Sequence, residues 1–186
     1  MRRHVRAWTL SALLALAVPA LGQDGQQDQA GRQGVEQLDA LFVLAAADGD
    51  MYEVESSQAV LEGAGDDQEL ADLAQRIIDD HTASSQRLQE IAAAAGFELP
   101  AEMSAAKRFK VEELRVLGRD MRVQAYLFQQ ELAHVDAIAL FTSYAQLGAN
   151  EELRTFAAQA LPVLEEHLQA VQALRGTRPE PAGQEQ

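Results

Sequence analysis

Residues 66–95 constrain the fold most. Leu70, Ala74, Ile77, Ser84, Leu88, Ile91 and Ala95 recur at helical spacing on one face, and His81 falls in the same row. A helix with one apolar stripe draws its stability from packing that stripe on other helices. A histidine in the stripe must find a hydrogen-bond partner, a charge or a metal, because burying it unpaired costs roughly 1–3 kcal/mol.

The partners for such a packing lie on both sides. Residues 35–62 form a helical pattern whose stripe is Leu38, Phe42, Ala46, Gly49, Glu53, Ser57, Val60 and Ala64, closed by Gly63-Ala64-Gly65. Asp66-Asp67-Gln68-Glu69 opens the next helix as a capping box, and Gly96 with Leu99-Pro100 ends it. A short amphipathic segment, 104–117, carries Phe109, Val111, Leu114 and Leu117. The third long pattern, 119–147, aligns Val123, Leu127, Glu131, His134, Ile138, Phe141 and Ala145. Asn150 caps the fourth, in which Leu153, Ala157, Ala160, Leu164, His167, Val171 and Leu174 share a face and Pro162 interrupts the hydrogen bonding. Strand-forming residues are sparse, while Ala, Leu, Glu, Gln and Arg dominate. The expectation is an all-α fold: one four-helix bundle over 35–175, with a short connecting helix between the second and third long helices. The connecting segment allows either an up-down neighbour or a long crossover.

The ends lie outside this bundle. Arg2, Arg3 and Arg6, the apolar run 7–18 and Ala20-Leu21-Gly22 read as a signal peptide over 1–22, too short to span a bilayer and followed by polar residues. Residues 23–34 read as a disordered leader and 176–186, with Pro179 and Pro181, as a disordered tail. The expected product is periplasmic or secreted, without stable membrane insertion. With no cysteine, thiolate chemistry, disulfides and cysteine-ligated metals are excluded. The formal charge is −14, and the signal segment removes three of the 15 basic residues and none of the 29 acids. A surface so acidic repels nucleic acid and anionic lipid. A homo-oligomer stays open.

Of the four histidines His4 leaves with the signal peptide, and His81, His134 and His167 each occupy the stripe of a different helix. Glu53 breaks the stripe of the remaining one. His81 before Gly96 and His134 after Arg119 stand at equal separations, which suggests equal depth from a shared connecting end. Three imidazoles and a carboxylate form a ligand set for one divalent transition metal ion, Zn, Fe, Cu, Mn or Ni. Asp80, Glu166 or Asp136 are candidates to accept the outer ring N–H groups, as are Tyr52 and Tyr126. A two-iron carboxylate centre is disfavoured: Glu131-x-x-His134 has the spacing, but Ile78 and Leu164 occupy the equivalent places before His81 and His167. The rival reading is a structural or protein-interaction bundle in which the same residues form a buried histidine-carboxylate network without metal.

Residues 42–174 resemble domain-of-unknown-function family 4142 (DUF4142), exported bacterial bundles of the ferritin-like group. The likeness rests on Met51-Tyr52-Glu53-Val54-Glu55, on Ala74-Gln75-Arg76-Ile77-Ile78-Asp79-Asp80-His81, on Ala125-Tyr126-Leu127 with His134 and Ala139-Leu140-Phe141, and on Leu161-Pro162-Val163-Leu164 with His167-Leu168. It implies a ferritin-like bundle and marks Glu53, His81, His134 and His167 as pattern positions. Glu131 departs from the pattern, in which an apolar residue takes that place, and is either a local variation or an additional ligand or ring partner. The family carries no settled activity; metal handling or oxidative-stress defence is the expectation drawn from the ligand set.

Overall fold

A computed structural model describes residues 23–178, with side chains from Gln37 onward. The chain is all helical in the described residues: α1 (Gln23–Leu61), α2 (Gln68–Ala95), α3 (Ala105–Val116), α4 (Arg119–Leu147) and α5 (Glu151–Gly176). Local chemistry accounts for the boundaries. The Asp67 side chain accepts from the Leu70 amide at 3.2 Å, so the cap of α2 falls one residue later than the expected Asp66. Gly96 ends α2 in the left-handed region at φ 79°, where a Cβ would be strained, and the Phe97 amide closes back on the Ala92 carbonyl at 2.8 Å. Asn150 caps α5 as expected, accepting from the Leu153 amide at 3.0 Å. No described helix is long and apolar enough to cross a membrane.

The described residues carry helix nearly to both of their ends. Helical backbone begins at Gln23, where Gln, Ala and Arg are good helix formers and no proline interrupts them. At the other end α5 runs to Gly176, and Arg178 pairs with both Asp67 oxygens, which fixes the start of the stretch read as a tail. The signal segment 1–22 and residues 179–186 lie outside the described residues.

The topology is a crossover bundle. The Arg119 guanidinium donates to the Ala64 carbonyl at 2.8 Å, placing the start of α4 at the α1/α2 turn, while the amides of Ala149 and Asn150 donate to Asp39, about six turns back along α1 from that turn. Thus α2 and α4 run in the same direction, and the segment containing α3 carries the chain back along the bundle, against α1. Around the bundle the neighbours are α1, α2, α5 and α4, each antiparallel to the next. The expected shared connecting end is therefore wrong: Gly96 and Arg119 stand at opposite ends. His81 and His134 still meet, because each lies near the middle of a helix of similar length.

Two apolar clusters fill the interior. One, toward the α1/α2 turn, includes Val60, Leu70, Ile77, Val111, Leu114, Leu127 and Val171. The other, toward the Asp39 end, includes Phe42, Leu88, Phe141, Leu153, Phe156 and Leu164. Fully burying one such side chain contributes about 1.5–3 kcal/mol. Between them lies a polar layer: Asp50, Glu53, Ser56 and Ser57 from α1, His81 from α2, Gln130 and His134 from α4, and His167 from α5, all buried.

Candidate metal centre

The three histidines converge in this layer. Their ring centres lie 5.3, 5.6 and 5.7 Å apart, and one nitrogen from each ring falls within 4.8 Å of the other two. Three of the four long helices, α2, α4 and α5, make this convergence, each contributing one central stripe position.

The outer hydrogen bonds fix each ring. His81 donates from Nδ1 to Asp50 Oδ1 at 2.8 Å, and Asp50 Oδ2 accepts from the Ser85 hydroxyl at 3.3 Å. His134 donates from Nδ1 to the Gln130 carbonyl one turn earlier, at 2.9 Å. His167 donates from Nε2 to Asp80 Oδ2 at 2.9 Å. With the rings neutral, the nitrogens left as acceptors are His81 Nε2, His134 Nε2 and His167 Nδ1. His81 Nε2 is buried with no partner. His134 Nε2 and His167 Nδ1 face each other at 3.3 Å. Two facing lone pairs cannot bond each other without a proton or a cation between them. The separation suits a cation, because two nitrogens bound at 2.0–2.1 Å to a tetrahedral ion stand roughly 3.3–3.4 Å apart.

Electrostatics separate the rings. Burial pulls His81 down, but the Asp50 bond and the charges of Glu53, Asp50 and Asp80 outweigh it and leave the ring more basic than a free histidine. His134 moves down, chiefly through burial, with Glu53 opposing. His167 is held down to about 4 by burial, which outweighs the Asp80 bond and is reinforced by the neighbouring His134 and His81. Two of the three rings are therefore neutral at pH 7, the form in which imidazole binds metal.

Glu53 lies in the same layer, 4% exposed, and Oε2 has no partner. It lines the same cavity as His81 and His134 but stands outside the 4.8 Å nitrogen group. The other expected participants divide. Asp80 orients a ring, but that of His167 on α5 and not its sequence neighbour His81. Tyr126 bonds Ser57 at 2.9 Å and Tyr52 donates to Gln129 at 2.9 Å, so neither phenol orients a histidine; burial keeps both protonated. Glu131 points outward to Arg175 and Gln172, and Arg175 holds its carboxyl below the usual range. Asp136 and Glu166 are exposed, Asp136 at the cavity wall.

Sequence reasoning missed Asp50, the partner of His81. The signal was present: Ala46, Asp50, Glu53 and Ser57 also keep helical spacing, and counting the stripe through Gly49 passed over it. The layer fits a metal ion by its chemistry, with three oriented imidazoles, two carboxylates behind them and one unpartnered carboxylate oxygen beside them.

Among curated proteins and solved structures none matches the chain. Residues 24–174 match DUF4142, a domain of unknown function, and the chain belongs to that family.

Proposed function

We propose that the polar layer binds one divalent transition metal ion through His81, His134 and His167, with Glu53 turning in as the carboxylate ligand. The observation that carries this reading is the set of three ring nitrogens left as acceptors and directed at one another, two of them 3.3 Å apart. The ligand set is of borderline softness and suits Zn, Fe, Cu or Mn. The crossover connection through α3 supports placing the bundle in the ferritin-like group. With export directed by residues 1–22, the function is metal handling or oxidative-stress defence in the periplasm or outside the cell.

Elemental analysis of protein purified without an affinity tag tests the reading, with the His81→Ala and His134→Ala variants alongside. Near-stoichiometric metal that both substitutions abolish is expected. Traces of metal that the substitutions leave unchanged would defeat it.

The second reading is a structural or interaction bundle, favoured by the His81–Asp50 and His167–Asp80 pairs, which are of the kind that fix packing. On that reading added metal leaves the melting temperature unchanged. On the first, ion at a hundredfold excess over Kd raises stability by about 2.7 kcal/mol.

A further inference from the structure

Beside the histidines the bundle is not filled. A cavity of about 610 Å³ adjoins His81 and His134, a volume typical of sites for small organic molecules. Small side chains on all four long helices keep it open: Ala45 and Gly49 on α1, Ala83 on α2, Ala137 on α4 and Ala160 on α5. Gly49 weakens the middle of α1 relative to alanine. A Cβ there would meet only Lys107 Nζ, at an ordinary 3.7 Å, so packing does not demand the glycine. Glu53 Oε2 and His81 Nε2, buried and unpartnered, belong to residues of its wall.

The wall is chemically divided. The chain has only two lysines, Lys107 and Lys110, among 15 basic residues facing 29 acids, and both line this cavity. Each ammonium lies 5.8 Å from the centre of the Tyr52 ring. Lys107 also pairs with Asp48 at 3.4 Å, whereas Lys110 has no carboxylate within ion-pair distance among the described residues. The apolar side of the wall includes Leu140, Phe141, Phe156 and Val163. Of the four acids lining it, Asp50 and Asp80 are engaged by histidine rings and Asp136 is exposed, which leaves Glu53 facing three cations, Lys107, Lys110 and Arg87, the last paired with Glu90.

We propose that this cavity binds a small carboxylate with an apolar body, its charged head drawn by Lys107 and Lys110 and its body lying against the Leu140, Phe141, Phe156 and Val163 wall. The lysines and the apolar wall are present without an ion, so this inference goes beyond the metal reading and does not depend on it.

Calorimetric titration of the metal-free protein with decanoate, 1-decanol and decyltrimethylammonium, all below their aggregation concentrations, separates head charge from tail. Decanoate should bind most tightly. The Lys107→Gln/Lys110→Gln variant should weaken decanoate on the order of tenfold, the effect of losing a charge-assisted contact, and weaken decanol less. Ala137→Leu, which fills the cavity, should weaken both, with a melting curve confirming the fold; Gly49→Ala, which narrows it more gently, should raise the melting temperature and weaken decanoate. Absent binding, decanoate no tighter than decanol, or decanoate indifferent to loss of the lysines would each overturn the proposal. Decanoate binding by a protein that takes up no metal would support it while removing the metal reading.

Discussion

Asp39 and Glu53 are equally buried carboxylates on the same helix, each 4% exposed, and the fold treats them differently. Asp39 accepts from the Tyr144 hydroxyl at 2.5 Å and from the Ala149 and Asn150 amides at 3.0 and 3.1 Å. These bonds anchor the α4/α5 turn to α1 and leave the charge well compensated. Glu53 Oε2 accepts nothing, and His81 Nε2 beside it in the polar layer is likewise open. A fold that satisfies one buried carboxylate so fully has the means to satisfy another. The contrast separates a polar group that holds the structure together from one kept free for a ligand, since an orphaned buried group is otherwise a net cost.

Breaking each carboxylate in turn gives the largest expected effects. Asp39→Ala strands two amides and a phenol and should destabilise the protein by about 2–4 kcal/mol in denaturant unfolding, while metal uptake persists. Glu53→Gln should leave the metal-free protein as stable or more so, because it replaces a buried carboxylate whose Oε2 accepts no hydrogen bond, yet weaken metal binding. Equal destabilisation by the two substitutions would erase the distinction.

Acid should destabilise the histidine layer next. His167 titrates near 4 in the folded chain against 6.5 when unfolded, so the unfolded state takes the proton first. Its contribution is present above pH 6.5 and is lost as the pH falls toward 4, by about 3 kcal/mol in the linkage limit. His134 acts in the same direction. His81 has the opposite sign: its raised value contributes stability below pH 6.5 that is lost as the pH rises through the folded value. Melting of the metal-free protein between pH 7 and 4 should therefore fall more steeply for the parent than for His167→Gln, and parallel curves would refute the assignment.

A smaller effect sharpens the metal side of the comparison. Asp50→Asn and Asp80→Asn each keep the shape of an outer partner but remove its charge, and each should weaken metal affinity by about 10–100-fold. Asp39→Asn, remote from the rings, should not. Competition with a chromogenic chelator measures all three.

Much of this was legible in the sequence. The stripe phases of His81, His134 and His167 survive folding because long helices carry a residue's angular position faithfully from pattern to bundle. The partners were harder. Residue i+1 on a helix points about 100° away from residue i, so Asp80 could not reach the ring of His81 and instead crosses to His167 on α5. The same geometry leaves Glu166 outside. The crossover was also hidden, because segment length alone does not say which end of the bundle α4 starts from; the bond from Arg119 to Ala64 decides it.

The central claim, that three imidazoles share one ion, is tested most directly by X-ray absorption on the metal-loaded protein, with stoichiometry measured on the same sample. The account predicts one ion per chain in a shell of nitrogen and oxygen, with outer-ring scattering from three imidazoles and about 2.0–2.1 Å metal-nitrogen distances if the ion is zinc. A shell of oxygen alone, or one unchanged in His134→Ala, would contradict it.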